Sequence, residues 1–308
     1  MRSILLTFIL LLLSQAAHSQ ALDTIIETKH KQRPAQIFHV DSQRYIYPKP
    51  NAINFVTFIP RTFKEVGKES FQRKSIKPWL LIAGSTLVLV SADQKISDGV
   101  QQFSRNINLD NSRKYIDVVG FHLGKIYVDV YQAPNNFNTA IYTIGEGMPP
   151  LLLSAGLLVH GLVKNDYRSI STASQITQGL IAMGITTQLL KRMTGRESPF
   201  VATQAGGRWR PFPNLKVYQN AVSHYDAFPS GHMATLMTTT VILADNYPEK
   251  RWISPVGYSV MTLVGLSMIN NGVHWAGDYP LAIGLGYVFG KVTVKMNRWI
   301  RHDEKAKR

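Results

Sequence analysis

Apolar positions in this chain gather into runs, and the runs become longer and more regularly spaced in the C-terminal half. Ile141 to Val163 is apolar apart from Glu146 and is interrupted by Pro149-Pro150, and Ile176 to Leu190, Met233 to Ala244, Ile253 to Ile269 and Tyr279 to Val294 follow between polar loops. This pattern predicts an all-α fold, five helices in an antiparallel bundle over residues 139–296. The runs are rich in Gly, Ser and Thr, which suits close helix packing inside a membrane. Several are shorter than the roughly 20 residues a crossing helix needs, and Lys291 interrupts the last, so a soluble bundle stays open beside a membrane-embedded one.

Upstream the pattern is weaker. Trp79 to Val90 is apolar but short, with Asp93 and Lys95 following at once, and reads as a core or interfacial helix rather than a span. Residues 96–138 are polar with scattered apolar positions (Val100, Phe103, Ile107, Ile116, Val118, Val119, Phe121), which predicts amphipathic helix against the bundle. Residues 20–78 mix basic residues with Pro34, Pro48, Pro50 and Pro60 and hold no sustained period, which predicts an extended or loosely ordered arm. Met1 to Gln20 has the form of a secretory signal, with Arg2, an apolar centre from Ile4 to Leu13 and small residues around Ala17-His18-Ser19; the alternative is an uncleaved anchor. A cleaved signal over 1–19 and a basic tail over 297–308 complete the expected organisation.

Charge narrows the partners. A formal net charge of +15 favours anionic ligands, and no helix-turn-helix or RNA-binding signature accompanies it, so phosphate esters, phosphorylated lipid or a membrane surface are expected and nucleic acid is not. The chain has no cysteine, hence no disulfide framework, thiolate metal site or cysteine nucleophile. No cofactor or metal is expected.

The residues with chemical potential concentrate between Lys191 and Asp278, at the ends of the predicted helices. Ser230-Gly231-His232 stands where an apolar run begins, so helix N-terminal N–H groups and the Ser230 hydroxyl can face an anion, and Gly231 permits close backbone approach. Lys191 ends the preceding run and adds a positive charge. His274 lies four residues before Asp278, a spacing that lets the carboxylate take one ring N–H and leaves the other nitrogen free to attack. His232 is then left as the acid. His18, His30, His39, His122, His160, His224 and His302 stand in no such pattern and read as ordinary core or surface residues.

These three blocks resemble the type 2 phosphatidic acid phosphatase (PAP2) superfamily, which also includes bacterial acid phosphatases, lipid phosphate phosphatases and vanadium haloperoxidases. The family pattern K-x6-R-P, P-S-G-H, S-R-x5-H-x3-D is met at Lys191 and Pro199, at Pro229 to His232, and at Ser267, His274 and Asp278. Ser198 and Met268 stand where the family has two arginines that clamp phosphate oxygens. The resemblance implies a phosphatase in which His274 attacks phosphorus, Asp278 orients it, His232 protonates the leaving oxygen, and Lys191, Ser230 and Gly231 hold the non-bridging oxygens, with no metal required. Arg196, two positions before Ser198, is the first candidate for the missing clamp, then Arg208 or Arg210. A non-catalytic lipid-phosphate-binding protein and a vanadate-dependent haloperoxidase are the competing functions. Glu146 is expected in helix packing, with a supporting role at the site as the alternative.

If the arm is exported and Trp79 to Val90 does not cross, the basic segments Lys164 to Arg168, Glu249 to Arg251 and the tail lie inside, and the site faces the periplasm or cell exterior.

Overall fold

A computed structural model describes residues 22–26, 33–51, 53–124 and 126–302. Its centre is the expected helical bundle, built from α4 (Met148–Lys164), α5 (Tyr167–Thr194), α7 (Gly231–Asn246), α8 (Ile253–Asn270) and α9 (Tyr279–Asn297), together with α2 (Arg73–Asn106). The amphipathic α1 (Ile59–Ser70) packs on α5 and α9, α3 (Phe137–Ile144) leads into α4, and α6 (Leu215–Asn220) lies in the loop before α7. Helix α7 is the axis: buried Met233, Ala234, Met237 and Val241 meet Phe289 and Leu285 of α9 and Val264 and Met268 of α8. Gly286 and Gly290 let α9 approach α7 closely, since a Cβ at Gly286 would lie 2.5 Å from the Ala234 carbonyl oxygen.

The N-terminal arm is extended, as one of the two readings of it expects, and it is ordered into a sheet. Strands β1 (Leu22–Ile26), β2 (Arg33–Val40) and β3 (Gln43–Pro48) form an antiparallel sheet that β6 (Trp299–His302) extends at the β3 edge. The sheet is held by burial of Phe38, Tyr45 and Tyr47 against Tyr167, and by the Tyr47 hydroxyl donating to the Asn246 side chain at 3.0 Å. Gln36 clasps the turn into α5, its Nε2 donating to the Asn165 carbonyl at 2.7 Å and its Oε1 accepting from the Tyr167 N–H at 2.8 Å.

Residues 96–138 are not continuous amphipathic helix. Helix α2 ends at Asn106, and β4 (Tyr115–Leu123) pairs with β5 (Ile126–Pro134) in a hairpin. β-branched and aromatic residues at 115–119 and 126–131 favour the pleated form over a helix. The run Ile141 to Val163 is broken at Gly145-Glu146-Gly147 into α3 and α4, bent by 58°, and Pro149-Pro150 falls in the first turn of α4, where proline is tolerated.

Helix α2 does not stop near Val90, where the reading of Trp79 to Val90 as a core or interfacial helix would end it. It runs for 34 residues and, with α8, is one of two helices among the described residues long and apolar enough to cross a membrane; the bent α3–α4 pair would make a third. Its apolar face looks outward, with Leu80 67%, Leu81 74%, Leu87 72% and Val88 66% exposed. Beyond Val90 the helix persists on polar pairs one turn apart, Gln94 to Asp98 and Gln102 to Asn106, so the charge at Asp93 does not end it. From Arg73 to Asp93 it rises about 30 Å, the thickness of a bilayer core.

The bundle therefore has two distinct ends. Lys191, Ser230, Asn270, Tyr279 and Asp93 gather at one, whereas the β1–β2–β3–β6 sheet, Asn246 and the Lys295–Glu69 pair lie at the other. If α2 crosses a membrane, the arm before it and the site end lie on opposite sides. The signal at Met1 to Gln20 and most of the tail fall outside the described residues.

Candidate active site

Four helix ends and the loops between them assemble the site. Helix α5 stops at Gly195, whose φ of 57° turns the chain, and leaves Lys191 on the last turn, 6% exposed, with its Nζ 3.3 Å from Asp226 Oδ2. Ser230 is the N-cap of α7, its Oγ accepting from the Met233 N–H, and its own N–H donates to the Asp278 carbonyl at 3.0 Å, joining the second block to the third. A Cβ at Gly231 would meet nothing within 4 Å, so the start of α7 borders open space at this position.

After α8, the turn through Gly272 (φ 66°) carries His274 to the short helix Ala276–Asp278 that opens α9. His274 is buried, with Nδ1 3.3 Å from Asp278 Oδ2. Asp278 Oδ2 also accepts from the Trp275 N–H at 2.8 Å, which fixes the carboxylate before it meets the ring. With Nδ1–H of His274 donating to Asp278, Nε2 carries the lone pair. The His232 ring stands 6.0 Å from that of His274, backed by the Tyr142 ring at 4.5 Å, and its Nε2 is buried without a hydrogen-bond partner among the described residues. Tyr142 and Gly145 shape the wall behind His232, since a Cβ at Gly145 would fall 3.0 Å from His232 Cδ2. Lys191, Ser230, Gly231, His232, His274 and Asp278 thus share one end of the bundle.

Arg196 does not join them as a phosphate clamp, and that expectation is corrected. It is fully buried, and its Nη1 donates to Asp278 Oδ1 at 2.7 Å while Nη2 donates to Asp93 Oδ2 at 2.5 Å and to the Gly206 carbonyl at 2.7 Å. Trp209 and Trp275 cover the guanidinium at 4.8 and 5.4 Å. Three of its N–H donors are committed behind the His274–Asp278 pair, and its Nε is buried without a hydrogen-bond partner among the described residues. Asp93, also fully buried, closes the network by accepting the Gly277 N–H at 2.8 Å on its other oxygen.

Arg208 and Arg210 serve the loop. Glu197 accepts from the Thr203 and Arg208 N–H groups, both at 2.9 Å, and pairs with Arg210 at 2.7 Å. Burial opposes its charge, yet these donors hold its carboxyl down at about 2. Ser198 is buried, its N–H donating to the Ser223 carbonyl, and Met268 is fully buried with its sulfur 3.8 Å from Ser230 Oγ, so neither position offers a cation. Glu146 lies in the α3–α4 break and accepts from the Tyr115 hydroxyl at 3.2 Å. Among the described residues no group of three or more His, Cys, Asp or Glu side chains is arranged to hold a metal.

Sequence reading missed Asp93, Tyr142 and Trp275. Asp93 gave one signal, a carboxylate immediately after an apolar run, which reads equally as the run's end.

The PAP2 superfamily profile matches residues 173–301, which include all three blocks. Lipid A 1-phosphatase of Porphyromonas gingivalis is 32% identical over 79 residues, 25% of this chain, and the match spans 18% of that protein's length. The crystal structure of a transmembrane PAP2 type phosphatidylglycerolphosphate phosphatase from Bacillus subtilis aligns at a TM-score of 0.40 and 16% identity, over 71% of this chain and 95% of that one. By the family profile and the blocks it contains, residues 173–301 of this chain are similar to the PAP2 superfamily.

Proposed function

We propose that this chain is a phosphatase that hydrolyses a phosphate monoester or lipid (pyro)phosphate through a phosphohistidine at His274, without a metal ion. The observation that carries the reading is the His274 ring set 3.3 Å from the buried Asp278 carboxylate and 6.0 Å from the His232 ring, beside the open face of Gly231. Lys191, the Ser230 hydroxyl and the first N–H groups of α7 hold the non-bridging oxygens. His274 Nε2 attacks phosphorus, the P–N bond forms as the P–O bond to the leaving group breaks, and protonated His232 gives its proton to that oxygen. Neutral His232 then takes a proton from water, whose oxygen attacks phosphorus, and the P–N bond breaks to release inorganic phosphate. Asp278 holds the ring orientation and offsets the charge it gains.

A lipid ester is the favoured class, supported by the outward apolar face of α2 and by the name of the Porphyromonas relative. Protein purified in detergent is expected to release inorganic phosphate from at least one of phosphatidic acid, a polyprenyl pyrophosphate and an aryl phosphate, and to yield an acid-labile phosphoenzyme on rapid quenching. Binding of inorganic phosphate without release from any of the three would favour a lipid-phosphate-binding protein instead. That second reading draws on Ser198 and Met268 at the arginine positions.

We place the site end outside the cytoplasm. The opposite end carries Lys64, Lys68, Arg73, Lys74, Lys164, Lys250, Arg251 and Lys295, which the positive-inside rule assigns to the cytoplasm. The native chain lacks cysteine, so single substitutions report cleanly: in intact cells an impermeant maleimide is expected to label Phe212→Cys, on the site-end loop, and not Lys49→Cys beside the sheet. The reverse labelling would turn the site inward.

A further inference from the structure

We propose that Arg113 binds the non-bridging oxygens of the substrate phosphate and supplies a guanidinium that Ser198 and Met268 no longer provide, an inference that rests on the phosphate-site reading above. Arg113 lies outside the residues matched by the family profile, on the segment entering the β4–β5 hairpin. Its guanidinium carbon stands 5.3 Å from the ring centroid of Phe200 and 6.0 Å from that of Tyr142. Each neighbour belongs to the site: Phe200 follows Ser198-Pro199 and donates its N–H to the Gly272 carbonyl, and the Tyr142 ring packs 4.5 Å from His232. The guanidinium therefore sits between the first block and the catalytic-acid candidate.

The backbone around Arg113 is anchored on both sides. The Ser112 carbonyl accepts from Asn136 Nδ2 at 2.8 Å and from the Thr139 hydroxyl at 3.2 Å, and the Lys114 N–H donates to Thr139 Oγ1 at 3.2 Å. The start of α3 thus fixes the position from which the arginine reaches. Its side chain is exposed, and no carboxylate of the described residues pairs with it, whereas adjacent Lys114 is paired with Asp110 at 3.0 Å. A planar fork of donors is the group that grips two phosphate oxygens at once, which an ammonium cannot reproduce.

The test uses the full chain in detergent and three variants, Arg113→Ala, Arg113→Lys and, as a surface control, Lys114→Ala. Inorganic phosphate binding is measured by titration calorimetry, and kcat and KM by phosphate release. Arg113→Ala is expected to weaken phosphate binding by about tenfold or more and to lower kcat/KM by at least as much, as loss of a charge-assisted hydrogen bond should. Arg113→Lys should recover only part of the loss, and Lys114→Ala should match the wild type, all at unchanged melting temperature. Phosphate affinity within twofold of wild type in Arg113→Ala, while wild type binds, overturns the role of Arg113 alone. Wild-type protein that neither binds nor releases phosphate overturns this proposal together with the site reading beneath it.

Discussion

Replacing His274 by alanine is expected to lower phosphate release by about 10³-fold or more, the scale at which removal of a covalent nucleophile acts. Among the described residues no other side chain is placed to take over. The His232 ring is 6.0 Å away and is needed to protonate the leaving group, and Lys191 is held on Asp226. Asp278→Asn should cost less in chemistry, because an amide still positions the ring although it cannot offset the ring's charge. The variants separate by trapping: His274→Ala yields no acid-labile phosphoenzyme, whereas Asp278→Asn forms it slowly. Retained turnover within tenfold in folded His274→Ala would move the nucleophile elsewhere. Inorganic phosphate should still bind His274→Ala, since Lys191, Ser230 and the start of α7 are untouched, and that binding shows that the site has kept its shape.

The second large effect falls on stability. Arg196→Ala is expected to destabilise the protein by about 3–5 kcal/mol, because it strips the partner from two fully buried carboxylates, Asp93 and Asp278. A drop of roughly 10 °C in melting temperature would accompany it. Adding Asp93→Asn to Arg196→Ala should restore part of the loss, since one of the two stranded charges disappears; a double variant no more stable than Arg196→Ala would deny the coupling. Lys191→Ala should behave in the opposite way, near wild type in melting temperature and deficient in phosphate binding. If Arg196→Ala instead kept its stability and lost only phosphate affinity, the guanidinium would have to leave Asp278 and act as a clamp after all.

The contrast between these two basic residues shows how much of the site was legible. Lys191, Ser230, His274 and Asp278 could be read because each depends on a local relation: a helix end, a cap, a four-residue spacing between imidazole and carboxylate. Arg196 could not, because its position beside Ser198 says nothing of the side it faces. Asp93, 103 residues away in the chain, holds it from a helix that sequence pattern ended too early. The hairpin was misread, and the pairing of the arm's strands went unspecified, for a related reason. Short strands broken by proline and charge carry little periodic signal, and both sheets owe their order to pairing and burial elsewhere, Tyr47 on Asn246 and the Ser112–Thr139 clasp at the foot of β4.

By itself the sequence determined the helical bundle, the order of its helices and which polar residues stand at their ends, since apolar runs, caps and short-range spacings are properties of neighbouring residues. Only the tertiary structure decided that α2 is long and apolar enough to cross a membrane, that its Asp93 anchors Arg196 behind Asp278, and that Arg113 stands beside Tyr142 and Phe200. Those outcomes depend on which distant surfaces meet when helices pack, and a buried charge takes the partner that packing presents, which no local pattern specifies.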